Sequence, residues 1–421
     1  MTKQKPTREY EGNAILIGCP GGGKTRTVAA KMEYLFEPKQ LPLDDAKMLT
    51  FSRSAANELL NRLSCLTYGK QVSTIHKFGL DLLRQNGFNG KVFGSKEPDA
   101  PDADRIKLIY EFLLTDTPLF RIGGAHKELS YMVNDCLGAI DRYKSGKDEK
   151  LPEAYRPAYE YYQDYLRKTN QIDFNDMLTL SINEIEKHPV HLRWLFLDEG
   201  HDTSMLQYEL FRRIDADFVW AIFDPHQMIY RWNGADERNY TRFREDYSPK
   251  EFQLLNDWRS TPEIVSVLEK IYPRGLVPKG EGESKIEFIE VEEESQYSYA
   301  LQLATEYPDH EILARTNYQL PTAMMKKALK KQGFSKSEIE KDIFIPKVNE
   351  GTIHWSKGTQ AHTVILVGGG DRYIPFYRSR DYVEEKNLLY VACSRAKNNL
   401  FVLYEERLSE FFGQVEEVIH V

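Results

Sequence analysis

The run Gly18-Cys19-Pro20-Gly21-Gly22-Gly23-Lys24-Thr25 constrains this chain more than any other stretch. It satisfies GxxxxGK[ST] at every fixed position. Ile15–Ile17 before it reads as an apolar strand end, and Arg26–Tyr34 after it reads as a helix. That order has a physical reason. Glycines let backbone N–H groups turn inward around an anion, and the following helix aims its positive end at the same charge. In such a loop Lys24 reaches the β- and γ-phosphates and the Thr25 hydroxyl binds Mg²⁺. A strand–loop–helix of this kind commits the surrounding fold to a parallel α/β layer that takes a nucleoside triphosphate.

A phosphate loop needs an acidic partner at the end of another strand. Trp194–Leu197 is four apolar residues long and runs directly into Asp198-Glu199. Asp198 fits the carboxylate that joins Thr25 in holding Mg²⁺. Glu199 is placed to activate an attacking water as general base. Two sites of this type, in this order, predict nucleotide hydrolysis.

The rest of the chain agrees with α/β architecture and mostly parallel sheets. Apolar, β-rich runs recur at Asn13–Cys19, Lys47–Phe51, Arg193–Leu197, Phe218–Phe223, Ile286–Val291, Glu311–Ala314, Thr363–Val367 and Asn399–Tyr404. Helical stretches lie between them, at Thr25–Phe36, Ser54–Ser64, His76–Asn86 and Pro262–Ile271. Asp102–Lys168 breaks the rhythm with Leu, Ile, Tyr and charge at helical spacing, so a helical insertion is expected there. Val92–Asp102 and Gly275–Glu283 are turn-rich and mark boundaries, and the acidic run Glu290–Glu294 reads as a solvated edge. With 421 residues, 41% of them hydrophobic and 29% charged, the chain can bury sizeable cores and is neither disordered nor fibrous. No apolar run approaches the roughly 20 residues of a membrane helix, and the N-terminus carries no targeting signal. A cytoplasmic location is expected, and no membrane partner. The four cysteines (19, 65, 136 and 393) form no CxxC pair, which argues against a zinc site. A net charge of −8 excludes a global basic footprint, leaving any nucleic-acid contact to a local groove.

Further motifs follow Asp198 in a fixed order: LDEGHDTSMLQYEL, then FDPHQMIYRWNGAD at 223–236, NDWRST at 256–261, GTIHWSKGTQ at 351–360 and LLYVACSRAK at 388–397. With TFSRSAANEL at 50–59, STIHKF at 73–78 and IDFNDML at 172–178, the series resembles the UvrD/Rep/PcrA-like helicases of superfamily 1 from Gly18 to Arg395. The resemblance implies two RecA-like (P-loop NTPase) motor domains with parallel sheets and a small helical insertion in the first. The expected layout is 1–87 plus 171–248 for the first motor domain, 88–170 for the insertion and 249–421 for the second motor domain. It also implies ATP and Mg²⁺ as cofactors and single-stranded DNA and its junctions with duplex as partners.

Residue by residue, Gln227 resembles the glutamine that senses the γ-phosphate. Arg259 and Arg395 resemble the two arginine fingers that stabilise charge on the transferring phosphoryl group. A plain salt-bridge role is the competing reading for Arg395. Trp258 stands where the family has an adenine-stacking tyrosine, and Arg26 lines the nucleotide. Gln360 replaces a ribose-binding glutamate and His201 a glutamine. The family's adenine-reading N-terminal glutamine has only Gln4 as a candidate among residues 1–17, beside Pro6, which predicts loose base specificity. For DNA, Trp232 resembles the stacking tryptophan and Phe51 the aromatic of the first DNA motif. Arg53, Thr74, His76 and His354 are candidate phosphate contacts, and Trp355 is a further candidate. Core packing competes with the DNA role for Phe51 and Trp355.

The resemblance therefore implies an ATP-driven single-strand translocase and helicase moving 3′ to 5′. A DNA-stimulated ATPase that does not unwind is the alternative, and 5′-to-3′ movement is the alternative polarity. The chain ends soon after Arg395, which leaves no room in it for a nuclease domain. Relatives carry a whole subdomain between the segments equivalent to Arg315–Asn317 and Thr352. Here only residues 318–351 lie between them, enough for helices at Pro321–Gln332 and Ser335–Lys341 but short for an independent core. A monomer is expected, with replication or repair proteins as its working context.

Overall fold

The computed structural model describes residues 8–37, 39–62, 70–94, 103–116, 126–231, 234–335, 338–339, 347–377, 379, 381–413 and 419–420. By contact density the chain forms two compact units. The first comprises Met1–Ile15, Thr25–Phe223 and Tyr230–Glu251, and the second Leu16–Lys24, Asp224–Ile229 and Phe252–Val421.

One six-stranded sheet has the order β3-β2-β6-β7-β1-β8. Its strands are β1 (Ala14–Gly18), β2 (Ala46–Thr50), β3 (Val72–Thr74), β6 (His191–Leu197), β7 (Asp215–Phe223) and β8 (Lys250–Leu254). The β2–β3, β2–β6 and β6–β7 pairs are parallel. In β6 every residue from Trp194 to Leu197 is buried, the continuous apolar pattern of a strand covered on both faces. The helices Lys24–Phe36, Arg53–Arg62 and Ile75–Gln85 match their expected positions to within two residues at each end. All eight apolar runs of the sequence are strands.

Two short parallel strands, β4 (Lys91–Val92) and β5 (Gln171–Ile172), bracket the helical insertion. Its helices Ala103–Asp116, His126–Lys144 and Arg156–Lys168 share a core of Ile109, Val133, Ile140, Tyr162 and Leu166. A buried ionic knot ties this insertion to the helix Phe174–Lys187. Asp173 caps that helix in a box with Asp176, and Lys144 Nζ lies 2.5 Å from Asp173 and 2.7 Å from Asp176. The Tyr162 hydroxyl donates to Asp173 at 3.1 Å.

A second six-stranded sheet, in the second unit, has the order β13-β12-β14-β15-β11-β16. Its strands are β11 (Lys285–Glu290), β12 (His310–Ala314), β13 (Glu350–Thr352), β14 (Ala361–Val367), β15 (Ala396–Tyr404) and β16 (Ile419–His420). Every registered pair in it is parallel. A two-stranded parallel pair, β9 (Asn256–Asp257) and β10 (Val277–Pro278), leads into it. The helix Tyr382–Cys393 is buried along most of its length, which explains its nearly all-apolar end LLYVAC. The expected helix Pro321–Gln332 is present as Pro321–Lys331. Of Ser335–Lys341, only the helical residues 338–339 and the non-helical Ser335 are described, and the remainder lies outside the described residues.

The sequence reading assigns all of residues 1–87 and 171–248 to one motor domain. By contact density the phosphate loop and Asp224–Ile229 group with the second unit. The cause is local. The Cys19 N–H donates to the Leu254 carbonyl and the Trp258 N–H to the Gly21 carbonyl, both at 3.1 Å.

Candidate active site and nucleic-acid surfaces

The phosphate loop has the conformation its glycines permit. Gly21 and Gly23 have φ of +69° and +77°, left-handed values that side chains resist. A Cβ on Gly21 would also collide with the Asp257 carboxylate and the Arg259 side chain. The helix that follows begins at Lys24. Cys19, Pro20 and Gly22 are buried, whereas Arg26 points outward. The Cys19 thiol donates to the Leu254 carbonyl at 3.3 Å, and burial pushes its pKa up to about 12, so it stays protonated and unreactive.

Lys24 is buried, and its ammonium group meets the Gly18 and Cys19 carbonyls at 3.2 and 3.1 Å and Asp224 Oδ2 at 3.3 Å. Asp224 is 0% exposed and is the hub of the second unit's polar interior. Its Oδ2 also accepts from Gln227 Nε2 at 2.5 Å, and its Oδ1 accepts from Arg274 Nη1 at 3.0 Å. Burial opposes the charge on Arg274, yet the Asp224 carboxylate holds the guanidinium above its ordinary range. The Gln227 Oε1 in turn receives Arg395 Nη2 at 3.3 Å. A continuous path therefore runs Lys24–Asp224–Gln227–Arg395.

Both candidate fingers converge on Ser394. Arg259 Nη1 donates to the Ser394 carbonyl at 3.0 Å, and Arg395 Nη2 donates to the Ser394 hydroxyl at 2.9 Å. Arg395 is buried and is fixed further by the Val391 and Thr359 carbonyls. Lys357 donates to the Gln227 carbonyl at 2.7 Å, bracing the same glutamine from its backbone. Trp258 is 57% exposed, so its indole face is open to a stacking partner. Gln360 is exposed.

In the first unit, Asp198 is buried directly beyond β6, with its N–H on the Leu49 carbonyl of β2 at 2.8 Å. Glu199 is held in a left-handed conformation, φ 51°, and its Oε2 lies 3.0 Å from Nε2 of the buried His201. That contact places His201 beside the carboxylate of the candidate base. Thr25 is half-buried at the helix start. Within this unit the buried Asp198 carboxylate and the half-buried Thr25 hydroxyl are oxygen donors of the kind that suit one hard cation. Glu199, His201 and Asp202 also lie within 4.8 Å of one another, but there the imidazole faces both carboxylates.

The DNA candidates differ in how they are held. Phe51 is 8% exposed and stacks on Tyr230 with centroids 5.4 Å apart, so its ring is packing and not an open platform. His76 meets Phe174 edge-on at 5.0 Å, and burial pushes its pKa down to about 4. Burial, with Arg315 and Lys357 nearby, pushes His354 to about 4 as well. In both, burial disfavours the imidazolium form. Thr74 caps the helix Ile75–Gln85 by accepting the Lys77 N–H at 3.1 Å. Arg53 is exposed at a helix start and Trp355 is 49% exposed, so both stay accessible. Trp232 lies outside the described residues.

Sequence reasoning gave no role to Asp224, Arg274 or Lys357. Asp224 carried a signal, since it follows the apolar end of β7 as Asp198 follows β6. Arg274, in the turn sequence YPRGL, carried none.

A phosphate loop of this form, with one six-stranded sheet in each unit, defines the P-loop class with RecA-like sheets. Similarity narrows the class. The signature of the UvrD/REP helicase N-terminal domain matches residues 1–248, and that of the UvrD-like helicase C-terminal domain matches residues 302–407. The chain belongs to the UvrD/REP helicase family. It is 26% identical over 369 residues to the ATP-dependent DNA helicase PcrA of Staphylococcus epidermidis, and 25% identical over 369 residues to that of Staphylococcus aureus. In both cases the alignment takes in 75% of this chain and 48% of the relative, so the chain spans about half the length of these relatives. No helix among the described residues is long and apolar enough to cross a membrane.

Proposed function

We propose that the chain is an ATP-driven motor that moves along single-stranded DNA, 3′ to 5′, and separates duplex ahead of it. The observation that carries this reading is the path Lys24–Asp224–Gln227–Arg395, which links the phosphate-loop lysine to a glutamine and an arginine of the kind that read a γ-phosphate. We assign 1–87 with 171–248 to the first motor domain, 88–170 to the helical insertion and 249–421 to the second, with a reduced insertion at 318–351. Two six-stranded sheets, parallel in every registered pair, and the β4–β5 bracket support that assignment.

In this reading Gly18–Gly23 wrap the phosphates with backbone N–H groups. Lys24 exchanges its carbonyl and Asp224 contacts for phosphate oxygens. Glu199, with His201 beside it, takes a proton from the attacking water. Mg²⁺, when bound, supplies Lewis-acid neutralisation of phosphate charge, and Thr25 and Asp198 are the residues to hold it. Arg259 and Arg395 stabilise charge on the equatorial oxygens, and Gln227, which accepts from Arg395, senses the γ-phosphate beside it. Trp258 stacks on the base. Single-stranded DNA favours the arrangement in which all these groups engage, so it stimulates turnover. Trp232 and Trp355 supply stacking surfaces, and Arg53 and Thr74 phosphate contacts.

Strand displacement on 3′-tailed and 5′-tailed duplexes tests this function. Unwinding of the 3′-tailed substrate alone is expected. Unwinding of the 5′-tailed one reverses the polarity. ATP turnover stimulated by DNA with no displacement on either leaves a non-unwinding ATPase.

A further inference from the structure

The helix Pro321–Lys331 carries a feature that the nucleotide site does not use. Lys326, Lys327, Lys330 and Lys331 are all exposed, four of six successive residues. They form two neighbouring i,i+4 ridges, and with Ala323 they line one shallow surface groove. Successive ammonium groups on a ridge are about 6 Å apart along the axis. Lys331 is paired with Glu294 at 2.8 Å. Lys326, Lys327 and Lys330 have no ion pair among the described residues. Three cations without an ion pair on little more than one turn of helix, of which Lys327 also feels the Glu294 carboxylate, are a concentrated local field that suits a polyanion in a chain of net charge −8.

The composition of the groove selects among polyanions. A single-strand channel combines cations with aromatic platforms for the bases. Within this strip no lining residue is aromatic; Tyr318 and Phe334 stand beyond its two ends in sequence. A protein interface needs apolar or aromatic anchors at its centre, and Ala323 is the only uncharged residue here. Duplex DNA hides its bases and presents phosphates, which ammonium groups alone can bind.

We infer that the lysine strip Lys326/Lys327/Lys330 is a docking surface for the phosphate backbone of duplex DNA. This rests on the DNA-motor reading above. The strip lies within residues 318–351, so a short helix performs a contact with the duplex that needs no separate folded domain.

The test is the triple variant Lys326→Gln, Lys327→Gln, Lys330→Gln, which removes charge but keeps good helix formers. Affinity for a 3′-tailed duplex and for the same strand alone is measured from 50 to 200 mM salt, with thermal melting as a control. Each lost phosphate contact removes about 0.9 from the salt slope on duplex. The slope on the tailed duplex should flatten by about 2.7, so fourfold more salt costs about 40-fold less affinity than in the wild type. The slope on single strand, its stimulation of ATP turnover and the melting temperature should be unchanged. The corresponding triple Arg variant should keep the wild-type slope. Equal slopes for variant and wild type on the tailed duplex overturn the inference, as does equal flattening on both substrates. Loss of polyglutamate binding without a change on DNA overturns it in favour of an acidic protein. Failure of single-stranded DNA to stimulate wild-type turnover refutes the motor reading itself, separately from the slope comparison.

Discussion

Replacing Asp224 by Ala should do two things at once, because the carboxylate serves two buried cations, the Gln227 amide and the His226 N–H. Lys24 and Arg274 have side chains only 9% and 8% exposed, at 3.3 and 3.0 Å from its oxygens. Breaking a buried ion pair from one side costs about 3–5 kcal/mol, since an uncompensated charge is left behind. Two cations share this carboxylate, but Lys24 keeps two carbonyl partners and Arg274 keeps the Tyr390 hydroxyl at 3.0 Å. The expected loss therefore stays within that range. At about 2–4 °C per kcal/mol for units of this size, melting should fall by roughly 6–20 °C. The Gln227 amide also loses the acceptor that fixes its direction, and misplacing a positioning group can cost about 10²-fold in turnover. The double variant Asp224→Ala, Arg274→Met removes the buried cation as well and should recover part of the stability but none of the turnover. Melting by circular dichroism and steady-state ATP hydrolysis read the two effects separately. A loss below about 1 kcal/mol in Asp224→Ala, or full additivity with Arg274→Met, would refute the hub.

What the sequence displays is what lies close together along it. The phosphate loop, the Asp198-Glu199 pair and the eight apolar strand runs each declare themselves within ten residues. The strands that escaped notice are short or of low apolarity: Val72–Thr74, Lys250–Leu254, Glu350–Thr352 and the two-residue pairs. Three of them (β3, β8 and β13) are sheet-edge strands, covered less than central ones and so weaker in pattern. The Asp224 hub was hidden for another reason. Its partners lie 200 and 50 residues away in sequence, and only the tertiary fold brings them together. Phe51 and His76 show the converse. Their motif context suggests DNA contact, whereas Tyr230 stacks on Phe51 and Phe174 meets His76 edge-on, and neither neighbour is visible from local sequence.

Other outcomes follow from the same geometry. Glu199→Gln should retain nucleotide binding and lose hydrolysis, whereas Lys24→Ala should lose both, as read by fluorescent-nucleotide binding and phosphate release; near-normal turnover in Glu199→Gln would remove the base assignment. Phe51→Ala should cost about 3–5 kcal/mol of stability as a buried aromatic lost from packing, with urea unfolding as the assay; a stable variant with weakened DNA binding would restore the sequence expectation. Lys31 is buried against Trp194, 4.1 Å from its ring, and desolvation lowers its pKa to about 8. Between pH 8 and its ordinary value of 10.5 the unfolded chain binds more protons, so stability contributed at this site rises with pH over that window. The difference in unfolding free energy between wild type and Lys31→Met should therefore shift toward wild type from pH 8 to 10, and a flat difference would contradict it.

The most direct test of the motor reading is ATP turnover with and without an oligothymidylate strand, in the wild type and in Arg395→Ala. The account predicts strong stimulation of the wild type, and an Arg395→Ala variant that still binds ATP but is no longer stimulated. Turnover unaffected by the strand in the wild type, or stimulation retained in Arg395→Ala, would contradict it.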